Sequence, residues 1–167
     1  MRCLAVWGSV YLLSACAPRS AGSSAAENTE TREQGAPVIT LERTACFGGC
    51  PVYRLSVTAD GAVGYEGRAH VRHLGVASGR INPERVNALL SEIERAGYFS
   101  FANRYTPAEP ACGRYSTDSP AAVTSVRVRD RIKRIEHDYG CGAAPGALVV
   151  LERRIDEVLS SGQWTGR

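Results

Sequence analysis

From Tyr53 to Tyr65 apolar and polar residues alternate, with a single break at Asp60-Gly61, and this stretch does most to fix what the chain can fold into. Tyr53, Leu55, Val57 and Ala59 fall on one side of an extended backbone and Arg54, Ser56 and Thr58 on the other, because successive strand side chains point to opposite faces. Asp-Gly supplies the positive φ angles of a two-residue turn, so strands over 52–59 and 62–68 are predicted to pair antiparallel. A sheet begun this way has one apolar face that something else must cover.

Two helices supply the cover. Asn82 is a suitable N-cap, Pro83 suits the first helical position, and Val86, Leu89, Leu90 and Ile93 form an apolar stripe that ends at Gly97. A second helix over 145–160 carries Leu148, Leu151, Ile155 and Leu159 on one face. Ile39 and Leu41 alternate with Thr40 and Glu42 in a short strand, and a weaker strand over 70–81 is diluted by Gly75 and Gly79. Tyr98, Phe99 and Phe101 read as core anchors, and 103–120, with three prolines, as a long loop. A second hairpin is predicted at 122–129 and 131–139, turning at Asp130. Val128, Ile132, Ile135 and Tyr139 also fit helical spacing, and the β-rich run 123–128 favours strands. The predicted class is α+β: an antiparallel sheet built of hairpins with two amphipathic helices packed on one face, a two-layer sandwich.

The first residues address a compartment. Arg2 gives a positive start, residues 3–13 are apolar, and Leu13-Ser14-Ala15-Cys16 resembles the cleavage and lipidation box of a bacterial lipoprotein. Eleven apolar residues are too few to span a bilayer, which takes roughly 18 or more. The resemblance implies a signal peptide over 1–15 and a lipidated Cys16, whose several acyl chains anchor stably where one would not. Pro18 stands where an aspartate resembles an inner-membrane retention mark, which favours the outer membrane, facing the periplasm, in a Gram-negative cell. Residues 17–35 contain no large aliphatic or aromatic side chain and read as a disordered tether. Nineteen flexible residues hold a domain on the order of 25 Å from the lipid. The expected organisation is a signal over 1–15, a lipidated tether over 16–36, one domain over 37–162 and a tail over 163–167.

Cysteine and charge fit that compartment. Cys3 leaves with the signal and Cys16 takes lipid, so Cys46, Cys50, Cys112 and Cys141 remain for an oxidising space. Of the three possible pairings, Cys46 with Cys50 and Cys112 with Cys141 are favoured: Gly48 and Gly49 make the first flexible, and the second staples two loops. Without Arg2 the chain holds 19 basic and 17 acidic side chains, too balanced to argue for nucleic acid, which an exported chain does not meet.

Cys46-Phe47-Gly48-Gly49-Cys50-Pro51-Val52-Tyr53, followed by the Asp60-Gly61 hairpin and Gly67, resembles a bacterial family of uncharacterised domains recognised by Cys-Phe-Gly-x-Cys-Pro-x-Tyr. Ile81, the Pro83 helix, Tyr98-Phe99, Tyr105, Asp118-Ser119-Pro120, Lys133 and the last helix follow in the order of that family, over roughly residues 38–160. The resemblance implies an envelope-associated domain of unknown function and no catalytic residue. Cys112 and Cys141 are additions to its pattern.

Several residues are candidate sites. Cys46-x3-Cys50-Pro51 also resembles the motif of thioredoxin-fold copper chaperones, which carry a later histidine, and His137 lies 87 residues beyond Cys50. Two thiolates and an imidazole suit copper(I). The strand-like alternation after Pro51 speaks against it, since those proteins place the motif at a helix N-terminus. Structural disulfide, redox pair and metal site are the three readings of Cys46 and Cys50, the first favoured. His70 and His73, three apart on a strand, face opposite sides. Arg127, Arg129, Arg131 and Lys133 would form a cationic stripe on one hairpin face, suited to lipid phosphates or an acidic partner. Asp118 is expected to shape its loop by accepting from backbone amides before Pro120. The chain has no Gly-x-Ser-x-Gly elbow, no His-Glu-x-x-His, no phosphate-binding glycine loop and no Ser-x-x-Lys. The expectation is a lipid-anchored envelope protein with a non-catalytic binding domain and no cofactor, meeting an envelope protein or anionic lipid. The alternative is a thiol-redox or copper-handling lipoprotein using Cys46 and Cys50.

Overall fold

The computed structural model describes residues 35–167, so the predicted signal, Cys16 and most of the tether lie outside the described residues. Seven strands form one sheet: β1 (Ile39–Arg43), β2 (Val52–Val57), β3 (Ala62–Ala69), β4 (Gly75–Arg80), β5 (Arg104–Tyr105), β6 (Ala121–Val128) and β7 (Arg131–Asp138). Their order is β4-β3-β2-β1-β6-β7-β5, antiparallel except where β5 runs parallel to β7. Helices α1 (Pro83–Arg95) and α2 (Gly146–Val158) lie against the apolar face, with a short α3 (Gly162–Thr165) after them. The fold is the predicted α+β class.

Alternation places the core. Ile39 and Leu41 on β1, Leu55 and Val57 on β2, Val126 on β6 and Ile135 on β7 are all fully buried. Val86, Leu89 and Ile93 of α1 meet them, as do Leu148, Leu151 and Ile155 of α2. The Asn82 side chain accepts from the Glu84 amide at 2.8 Å, the predicted N-cap. Arg154 on α2 reaches Glu92 on α1 at 3.0 Å and ties the helices together at the surface.

Four local details depart from expectation. The first hairpin closes with a three-residue loop: Thr58 donates to Ala62 O, Gly61 donates to Thr58 O, and only Gly61 takes positive φ, at 87°. Ile81 O would sit 2.1 Å from any Cβ at position 61, so glycine is required twice over there. The loop 103–120 contributes β5, whose two residues give no periodic signal and are held by pairing to β7. The expected tail is α3, with Trp164 buried and stacked on Tyr65 at 4.9 Å. The Arg129-Asp130 turn pairs Arg127 with Ile132 and Val126 with Lys133.

That last register dissolves the predicted cationic stripe. Crossing a two-residue turn reverses parity, so Arg127 projects from the open face while Arg131 and Lys133 share the covered face with Val126. Lys133 donates to Phe101 O at 2.5 Å, and Arg131 stacks 3.9 Å above the Phe99 ring. These cations hold the 98–101 segment instead of facing a partner.

Strand directions give the sheet two poles. At one lie residue 35, the 58–61 turn, the 80–83 junction and the 129–130 turn. At the other lie the Cys46–Cys50 loop, the 70–74 loop and the C-terminal turn, where Arg72 and His73 donate to Thr165 O and Trp164 O.

Candidate functional site

Arg43 closes β1 and is paired in register with Tyr53 on β2, so these two side chains stand at the base of the Cys46–Cys50 loop. Asp156 on α2 joins them. It accepts from Arg43 Nη2 at 2.8 Å through one oxygen and from the Tyr53 hydroxyl at 2.7 Å through the other. One carboxylate thus clamps the last rung of the β1–β2 ladder.

The network continues inward. Arg43 Nη1 donates to the Tyr139 hydroxyl at 2.5 Å, and that hydroxyl donates to Glu152 Oε2 at 2.7 Å. His137 Nδ1 lies 3.1 Å from both oxygens of Glu152, with both residues in the core. The local logic is simple. Glu152 and Asp156 are four apart on α2 and share a face, while His137 and Tyr139 are two apart at the end of β7 and share another. Buried polar groups are costly unless paired, and each member of this chain is paired.

Electrostatics follow burial. Burial works against charge on Arg43, but Asp156 and Tyr139 outweigh it and hold the guanidinium above its ordinary range. Burial first, then the Asp156 carboxylate, pushes the Tyr53 phenol upward. Burial, opposed by Arg43 and reinforced by Glu152, pushes Tyr139 up to about 12. Both phenols are therefore neutral hydroxyl donors at physiological pH.

Above the network opens a cleft of about 650 Å³, walled by Pro51, Pro120, Tyr53 and Tyr139, with Cys50 on its edge and Arg153 and Arg167 among its lining. A neighbouring hollow of about 800 Å³ against Trp164 and Gly79 shares Asp156, Ser161 and Arg167 with it. The first is the better candidate because the charged network lies along it and it contains residues of the Cys-Phe-Gly-Gly-Cys-Pro-Val-Tyr octet.

The sequence candidates fall as follows. Cys46 and Cys50 form a disulfide with Cα atoms 5.7 Å apart, and Cys112 and Cys141 form another at 4.5 Å, the favoured pairings. His137 is committed to Glu152 in the core and is not brought to the two sulfurs; among the described residues no three His, Cys, Asp or Glu side chains gather as a metal cage. His70 lies just past the end of β3 in left-handed backbone and His73 in the following loop, so neither is a strand residue as expected. Asp118 shapes its loop differently from the prediction. Its φ is 69°, its carboxylate accepts from the Thr117 hydroxyl at 2.9 Å, and its carbonyl accepts from the Phe47 amide at 3.1 Å. The aspartate that does cap an amide is Asp138, which accepts from Gly140 N at 2.8 Å.

Arg43, Tyr53, Tyr139, Glu152 and Asp156 did not emerge as site residues from the sequence. The available signal was two carboxylates four apart on the otherwise apolar face of α2.

The chain is thus an α+β domain with a charged clamp beneath a disulfide-closed loop. Residues 37–159 match the model of the family described as Domain of unknown function (DUF6438), and the chain belongs to that family. No curated protein matches it.

Proposed function

We propose that this chain is a lipid-anchored envelope protein, linked through Cys16, whose folded domain is a non-catalytic binding module that meets its ligand at the Cys46–Cys50 pole. The observation that carries this reading is the closed network below the cleft. Arg43, Asp156, Tyr139, Glu152 and His137 satisfy one another, which makes a rigid polar floor with no side chain held ready for chemistry. Position supports it as well. Residue 35, where the tether joins, lies at the opposite pole, so the chain enters the domain clear of the cleft.

A redox role for Cys46 and Cys50 is the second reading. It draws support from Cys50 standing on the cleft edge and from a loop whose Phe47 is almost wholly exposed. The test is to produce the full chain in an oxidising bacterial envelope and follow its intact mass with alkylation before and after mild reduction, with and without copper(I). The binding reading expects an acylated Cys16, no free thiol and no copper taken up. Selective release of two thiols at Cys46 and Cys50 by mild reductant, or one copper per chain, would contradict it. Cys50→Ser adds a second arm: a binding module loses stability, whereas a redox protein loses thiol chemistry with its fold intact.

A further inference from the structure

We infer that the Cys46–Cys50 pole docks on an anionic bilayer surface through Phe47 and Leu74. This rests on the lipid-anchored reading above and names what that pole meets. Phe47 is 88% exposed and Leu74 65%, the one inside the disulfide loop and the other at the β3–β4 connection. Their loops are neighbours: a Cβ on Gly49 would lie 4.0 Å from His70 Nδ1, and Arg167 donates to Gly49 O at 2.6 Å. Large apolar side chains left projecting from neighbouring loop tips suit a yielding apolar medium.

Charge points the same way. Residues 44–51, 70–75 and 162–167 contain no aspartate or glutamate side chain and carry Arg72, Arg167, His70 and His73, while Asp118 is an acid that stands beside them, its carbonyl accepting from the Phe47 amide. Among the described residues neither Arg72 nor Arg167 makes an ion pair. Apolar tips beside two unpaired arginines, Arg72 and Arg167, complement a leaflet of anionic headgroups above acyl chains. The disulfide fixes the base of the Phe47 loop, so little loop entropy is lost on docking.

Reach permits it. Eighteen residues separate Cys16 from Gly35, an extended span of up to roughly 65 Å. The longest strands have eight residues, roughly 26 Å. The domain can therefore turn its far pole back onto the membrane that anchors it.

The experiment places the full lipidated chain in vesicles of phosphatidylcholine alone or with phosphatidylglycerol, carrying Phe47→Trp or, at the other pole, Ile132→Trp. Quenching of the added indole by lipids brominated on the acyl chain is read against the unsubstituted chain. Position 47 is expected to be quenched in the anionic vesicles and about tenfold less in the neutral ones, with position 132 unquenched in both. Arg72→Glu with Arg167→Glu is expected to reproduce the neutral-vesicle loss, and salt to weaken the quenching. Equal quenching at both positions, or none at 47 in a chain that floats with the anionic vesicles, overturns the docking alone. So does an indole at 47 that responds to purified envelope proteins but not to lipid, which assigns the pole to a protein partner. A chain that fails to float overturns the anchoring reading and the docking with it.

Discussion

The two disulfides occupy opposite environments. Cys112 and Cys141 are buried, 2% and 4% exposed, and close a long stretch of chain, whereas Cys46 and Cys50 are half-buried and close a loop whose tip projects into solvent. The long closure is set among backbone bonds from Ser116 to Gly140 O, Gly142 to Arg114 O and Ala143 to Cys112 O. The short one stands on the Arg43–Asp156–Tyr53 clamp, so its loop base is held twice, once by sulfur and once by a carboxylate. On the proposed reading the difference separates two tasks: the buried pair holds the fold, and the half-buried pair holds the shape of a surface.

Removing the buried pair, Cys112→Ala with Cys141→Ala, should have the largest effect. Loop entropy for a separation of 29 residues amounts to about 3–4 kcal/mol, read as a fall in the urea midpoint. A loss below 1 kcal/mol would break the comparison. Asp156→Ala comes next. It strips partners from Arg43 and Tyr53 at partly buried positions and should cost about 2–3 kcal/mol in the same titration, while making Cys46–Cys50 easier to reduce. Unchanged reducibility would show that the clamp does not hold the loop.

Cys46→Ala with Cys50→Ala should cost about 2 kcal/mol, because a separation of four residues frees less chain entropy. Combining it with Asp156→Ala should depart from additivity, since both act on one loop base. The smallest effect belongs to Phe47→Ala: stability within about 0.5 kcal/mol of the parent, as expected of a side chain that is 88% exposed. A larger loss would mean that Phe47 is part of the fold and not of its surface.

Much of this was legible in the chain itself, for identifiable reasons. The first hairpin, α1 with its Asn82 cap, and α2 carry their signals locally, in alternation, capping chemistry and a helical stripe. The cysteine pairing was legible because one pair is four residues apart. β5 and α3 were not, since two and four residues show no period and their stability comes from β7 and from Tyr65 against Trp164. The cationic stripe failed on register, which depends on how many residues the turn contains. The network was hidden because its members come from β1, β2, β7 and α2, and only tertiary packing sets Arg43 beside Asp156 or His137 beside Glu152.

The most direct test of the account is the reduction potential of Cys46–Cys50 in the full chain, taken from alkylation and intact mass across a series of dithiol redox buffers. A structural loop closure predicts a value below about −300 mV, with Cys112–Cys141 lower still. A value between about −120 and −200 mV, with Cys112–Cys141 still closed, would place the exposed pair among catalytic disulfides and contradict the binding-module reading.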